Sequence, residues 1–291
     1  MTIDILFSGL AVGCIYSLIA MSFSLIFRSS GVLNIAQGET VMVGGLIGYS
    51  FVTLMGMNYF VGILLTMLVT ALVGFVSNYL VFEPIQKRGG QDVHVLIASV
   101  GILIILPQVS ALFWGAEPLS FPSDLSQGRL SMGSVSISGL SFLIIVVSFI
   151  IMVAFQMFFR FTRLGQAMRA IADDRTMSQL LGVNIARYVG LIFLVSGALA
   201  GAAGIMMGPV YYVSYNMGII GIKAFAAAIL GGFGNITGAM LGGLLLGIIE
   251  AYGGTMISSA YRDIILYGLL ILVLLVKPSG ILGVKQRRDT V

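Results

Sequence analysis

Charge is scarce in this sequence. Asp, Glu, Lys and Arg make up 9% of its 291 residues, against roughly 25% in a soluble globular domain. A chain so poor in charge is not built to be covered by water. Cysteine is scarcer still: the single Cys14 excludes an intramolecular disulfide and a multi-cysteine metal site. No G-x-x-x-x-G-K-[ST] phosphate loop occurs, which argues against ATP hydrolysis of that type by this chain. No nucleophile–base pair or metal-ligand cluster stands out. The expectation is a chain with no catalytic residues, no metal and no cofactor. The opening "MTIDILFSGL" lacks a basic region, which argues against a cleaved signal peptide and predicts that the first span is retained. Alternating segments of ~10 residues, the mark of a membrane β-barrel, are also missing.

What fills the sequence is apolar. Hydrophobic residues reach 58%, the mean hydropathy is +1.08, and continuous apolar runs of about 20 residues recur along the whole length. The fold class expected is all-α: a polytopic membrane helix bundle of about eight membrane segments, embedded in a lipid bilayer. The net charge of +4 and pI near 9.3 do not point to nucleic acid, because the basic residues cluster in loops between spans. The 38 glycines suit closely packed helices and a bent backbone.

The predicted spans are 3–27, 40–56, 59–82, 93–114, 139–159, 189–208 and 261–276, with 221–252 a special case. Three segments, 83–92, 160–188 and the tail from Lys277, hold 11 of the 15 basic residues and are predicted to be cytoplasmic. Connectors 115–138 and 209–220 read as outside. With 189–208 running outward and 261–276 running back to a cytoplasmic tail, 221–252 cannot be one full crossing. As a single helix its 32 residues would measure about 48 Å, against a hydrocarbon core of ~30 Å. A re-entrant or broken helix, cut at "GGFGN" within the membrane, resolves both conflicts. A fainter echo lies early, where "LNIAQGETVMVGG" parallels "GNITGAMLGG"; internal repeats with interrupted helices are common in transporters. Arg28 favours an outside N-terminus, unless a second re-entrant loop at 29–39 reverses it.

The connector 160–188 reads as two short amphipathic helices. Leu164, Ala167, Met168, Ile171, Met177, Leu180 and Leu181 fall at helical spacing. Asp173 and Asp174 mark the start of the second helix and Gly182 its end. The acidic pair disfavours an anionic lipid surface and points to a protein partner.

This connector resembles the coupling segment of the permeases of bacterial ABC importers for branched-chain amino acids (the LivH-type family). The matching residues are Thr162-Arg163-Leu164-Gly165, Arg169-Ala170, Asp173-Asp174 and Leu181-Gly182-Val183-Asn184. "GVLNIAQGE" is similar to the family's Asn-x-Ala-His-Gly-Glu motif, with Gln37 in the usual histidine position, and "AAAILGGFGNITGAMLGGLLLGIIE" is similar to its late glycine-rich segment. The resemblance runs from about residue 9 to residue 283. It implies a single permease domain over 1–291, with 160–188 as the segment that couples to ATPases. It implies a second related permease subunit, two cytoplasmic ATPase subunits and an extracytoplasmic solute-binding protein as partners. The location implied is the bacterial inner membrane, multi-pass, with a cytoplasmic C-terminus.

For coupling the expected residues are Arg163, Gly165, Arg169, Asp173, Asp174 and Gly182; solvated surface charge is the plainer alternative. For the substrate pathway they are Asn34, Gln37, Glu39, Met42, Phe225, Phe233, Asn235 and Thr237. Polar groups within a bilayer are costly unless paired or facing a wet cavity, and hydrogen bonding between helices is the competing explanation. His94 and Trp114 read as interfacial. Glu250 and Arg262–Asp263 read as membrane-edge residues. Two rival functions stay open: a permease for urea or short amides, and an ion-coupled secondary transporter, for which only Glu39 is a fair intramembrane acid.

Overall fold

The structure, a computed structural model, describes residues 2–121, 129–132, 135–256, 262–277 and 279–283. It is helical almost throughout. Helix α1 spans Thr2–Ser30, α2 Gln37–Tyr49, α3 Tyr59–Ser77, α4 Glu83–Lys87 and α5 Asp92–Trp114. A small antiparallel hairpin follows, β1 (Arg129–Met132) with β2 (Val135–Ser138), pairing Met132 with Val135. Next come α6 (Gly139–Phe161), α7 (Arg163–Asp173), α8 (Arg175–Leu180) and α9 (Ile185–Met207). The chain closes with α10 (Ile220–Gly231), α11 (Ile236–Met256) and α12 (Arg262–Val276). Single π-helical turns extend α2 over Ser50–Leu54 and α3 over Asn78–Phe82.

Six of the described helical stretches are long and apolar enough to cross a membrane, by length and composition. Two of them form the centre: 83% of the most apolar stretch of α1 and 78% of that of α9 are buried, against 17–33% for the stretches in α3, α5 and α6. Between bilayer-embedded helices there is little hydrophobic drive, so close backbone approach has to supply the packing. Glycines provide it. Gly13 and Gly247 bring α1 and α11 together; Gly74, Gly197 and Gly201 do so for α3 and α9, and Gly44 and Gly204 for α2 and α9. Serines inside α1 other than Ser24 satisfy their hydroxyls on its own backbone, as Ser29 does on the Leu25 carbonyl (3.0 Å).

The bundle has two distinguishable ends. At the basic end, Arg28 at the close of α1 lies 3.9 Å from Asp173 of α7. There Phe27 packs on Phe233 at 4.4 Å, and the segment after α12 bonds to the α10–α11 turn through Leu282 N to Gly231 O (3.0 Å). At the far end Trp114 donates to Ser50 (2.8 Å), and Leu119 pairs with Val213.

This arrangement corrects the expectation for 221–252. The break falls at 232–235, as the glycines predict, with Gly232 at φ 113° and Gly234 at φ 85°. It does not lie at mid-depth. It is the turn of an antiparallel pair, seated at the basic end, where the glycines let residues 280–283 lie against it. Nor are both halves short: α10 has 12 residues, about 18 Å, whereas α11 has 21, about 31 Å and enough for a crossing. The interruptions inside the bundle lie elsewhere, in the non-α stretches before α2 and before α10. These two short helices start from one place, Gly38 against Gly218 and Gly221, and run in opposite directions, α2 to the far end and α10 to the basic end.

Candidate translocation site and coupling surface

The point where α2 and α10 begin is the polar centre of the molecule. Asn34 precedes α2 and accepts a bond from the Ala36 amide (3.2 Å), while its Nδ2 donates to Gln37 Oε1 (3.4 Å). Gln37 Nε2 donates in turn to Ser22 Oγ (3.2 Å) and Ser196 Oγ (3.0 Å). Asn34 and Gln37 are both buried, so they tie α2 to α1 and α9 instead of facing an opening. Met42, fully buried one turn on, is core.

Glu39 differs from these neighbours. It is 7% exposed, its carboxylate lies against Gly218, and its Oε2 accepts no hydrogen bond from any described residue. It lines a cavity of about 340 Å³ whose other walls include Phe23, Leu103, Ile222 and Phe225. Phe225 makes edge contact with Phe233 (5.3 Å), and Phe233 packs on Phe27, so an aromatic ladder leads from the cavity to the basic end. Of the eight pathway residues expected from sequence, Glu39 and Phe225 line this cavity and Phe233 adjoins it.

Asn235 and Thr237 stand at the turn. Asn235 Oδ1 accepts from Gly238 N (3.1 Å) and so caps α11, and its Nδ2 holds the Leu282 carbonyl (2.8 Å). Thr237 is exposed and accepts from Gln156 of α6 (3.2 Å). The echo between the two Asn-Ile stretches thus has a local meaning: each asparagine accepts from a backbone amide at the start of a helix.

A second polar group was not anticipated. Lys223 of α10 donates to Glu250 Oε1 of α11 (3.0 Å) and lies 2.7 Å from Asp263 Oδ1 of α12, and Tyr16 of α1 donates to Glu250 Oε2 (2.7 Å). Glu250 is 4% exposed, so pairing with Lys223 and Tyr16, not exposure, accounts for this acid. The signal available was Lys223 itself, a lone cation in an apolar run, which needs an acid close by. On its outer side Glu250 borders a cavity of about 290 Å³ with Ser8, Tyr211 and Thr255.

At the basic end two short helices form as expected, except that Asp173 closes α7 and Asp174 alone opens α8. Thr162 caps α7 through Gly165 N (3.1 Å), and Gly165 has to be glycine because any side chain would collide with the Phe159 backbone. Arg169 donates to the Arg160 carbonyl (3.1 Å) and stacks over Phe159, closing the open end of α6. Asp174 caps α8 through Met177 N (2.8 Å), and Gly182 ends the turn at φ 82°. Arg169 and Asp174 therefore position the segment, and Asp173 joins it to Arg28. Among charged and polar side chains such as Arg163, Asp173 and Gln179, the segment also presents apolar ones outward: Met177 is 54% exposed and Leu180 and Leu181 are 77%. Beside them runs a groove bordered by Glu83, Gln86, Lys87 and Gln179.

Comparison with known proteins shows the family. The model of a family described as branched-chain amino acid transport system / permease component matches residues 5–274. The chain is 40% identical to the high-affinity branched-chain amino acid transport system permease protein BraD of Pseudomonas aeruginosa, over 96% of this chain and 94% of that one. It is 36% identical to LivH of Escherichia coli K12, over the same shares. The ribose import permease protein RbsC of Haemophilus influenzae is 24% identical over 93% of this chain and 83% of its own. Among solved structures, PsaBC from Streptococcus pneumoniae in complex with Fab superposes with a TM-score of 0.51 at 14% identity, covering 95% and 91% of the two chains. That last likeness is one of fold.

Proposed function

The chain belongs to the branched-chain amino acid transport permease family, and from that premise we propose that it is a membrane subunit of an ABC importer carrying leucine, isoleucine and valine. The observation that carries this most directly is the pairing of a nearly full-length relative at 40% identity with apolar side chains held out at the basic end of the bundle. The basic end is the cytoplasmic one, since positively charged loops stay inside. The C-terminus is then cytoplasmic, and the N-terminus of α1 lies outside.

Transport follows an alternating-access cycle. Two ATPase subunits dock on α7 and α8, with Met177, Leu180 and Leu181 filling a hydrophobic slot. Arg163, Gly165, Arg169, Asp173, Asp174 and Gly182 hold those helices rigid enough to pass on the movement. Through Arg169 that movement reaches α6, and through Asp173 it reaches α1. The chain 1–291 acts as one permease domain beside a related permease, with a binding protein delivering solute at the far end. Solute passes the cavity at Glu39 and Phe225 and leaves along Phe233 and the α10–α11 turn, with Asn34, Gln37, Met42, Asn235 and Thr237 bracing the route.

The test is uptake into vesicles reconstituted with both permeases, the ATPases and the binding protein, comparing leucine with urea. ATP-dependent accumulation of leucine is expected. Uptake of urea in its place would reassign the solute, and uptake by this chain alone without ATP would overturn the importer reading.

A further inference from the structure

We propose that the cavity between α1, α2, α5 and α10 recognises the ammonium group of an apolar amino acid, with Glu39 as the group that binds it. This rests on the transport reading above and names the chemistry of its pathway. Four observations converge. Glu39 is more than nine-tenths buried, and its Oε2 finds no donor among the described residues. A buried carboxylate without a partner is costly, so a ligand that brings a cation is bound in preference to one that does not.

The carboxylate also sits where two helices begin. It is the third residue of α2 and lies against Gly218 at the entry to α10. The positive ends of two helix dipoles favour its ionised form. In many broken-helix transporters such ends face a substrate carboxylate. Here that position is filled by the protein's own anion, so the complementary ligand group is positive.

Pro107 lies inside α5. It has no amide hydrogen to give the carbonyl four residues back, so Leu103 C=O loses its helical donor. Leu103 belongs to the cavity wall, so the residue whose carbonyl Pro107 frees is part of the same wall as Glu39.

The remaining lining is apolar and large: Phe23, Leu33, Ile35, Ile219, Ile222 and Phe225. A cavity of about 340 Å³ lies in the range of small-molecule sites, ~300–1,000 Å³. Such walls suit an aliphatic side chain. Gly218 is part of the design, because any side chain there would displace the carboxylate.

Two experiments on the reconstituted complex test this. The first compares leucine uptake for wild type and Glu39→Gln, each in complexes shown to retain both permeases and the ATPases on co-purification. Uptake should fall by about tenfold or more, as the loss of one charge-assisted contact would produce. Uptake at the wild-type rate by Glu39→Gln would overturn the site and leave the importer reading standing. No ATP-dependent leucine uptake by wild type would instead remove the reading itself.

The second keeps Glu39 intact, so it does not depend on that variant folding. In a Cys14→Ala, Ile222→Cys background, the rate of maleimide labelling is measured with leucine, isopentylamine or 4-methylpentanoate added. Leucine and the amine should slow labelling severalfold and the carboxylate should not. Equal protection by all three, or protection by 4-methylpentanoate alone, or none by leucine, would each overturn the proposal.

Discussion

Lys223 illustrates how much a single side chain decides in this molecule. Its ammonium joins α10 to α11 through Glu250 and to α12 through Asp263, while Tyr16 completes the partners of Glu250 from α1. Removing one member leaves a desolvated charge uncompensated, at a cost of about 3–5 kcal/mol for a buried pair. Lys223→Met should therefore lower the thermal unfolding midpoint of the purified subunit clearly. Lys223→Met with Glu250→Gln should restore much of it, since no buried charge is then left unpaired at Glu250. If the double variant were as unstable as the single one, the charge pairing would not be the cause. The same comparison in high salt would move little, because Glu250 is 4% exposed and screening acts poorly on buried pairs.

At the scale of elements, the coupling segment separates into residues that shape it and residues it displays. Asp174→Ala removes the cap of α8, worth about 1 kcal/mol, and should loosen that helix, seen as faster amide exchange over 175–180, without unfolding the bundle. Leu180→Glu with Leu181→Glu should leave exchange and stability unchanged and abolish co-purification of the ATPases. Retention of the ATPases by that variant would remove α8 from the interface. Much of this was legible in sequence. Asp174 and Gly182 mark helix ends by local chemistry, but helical spacing groups Met168 and Ile171, which are buried, with Met177 and Leu180, which are not, and does not tell them apart. The turn at 232–235 was legible by local chemistry too, since glycines with positive φ announce themselves.

Depth was not legible. Whether glycines break a helix in mid-membrane or turn it at the surface depends on contacts with residues 280–283 and Phe27, far away in sequence. For the same reason Asn34, Gln37 and Glu39 look equivalent in a motif, yet two are braces and one faces a cavity. Ser22 and Ser196, which occupy Gln37, could not be known as its partners.

At the scale of the whole molecule, the two ends make a topological prediction. In a Cys14→Ala background, cysteines at Thr237 and Lys277 should both react with an impermeant reagent from the cytoplasmic side, and one at Leu54 from the other. Labelling of Thr237 from outside would contradict the placement of the α10–α11 turn at the basic end. The central position of α1 carries a further consequence, one of time. Its main neighbours, α9 and α11, are made late, on the order of ten to forty seconds after it at bacterial rates of synthesis. Until then its Ser17 and closely packed Gly13 have no partner helix to receive them. Ribosome-bound chains halted before α11 should expose α1 to lipid-phase crosslinkers that the finished protein shields it from, so assembly has to close around its first helix last.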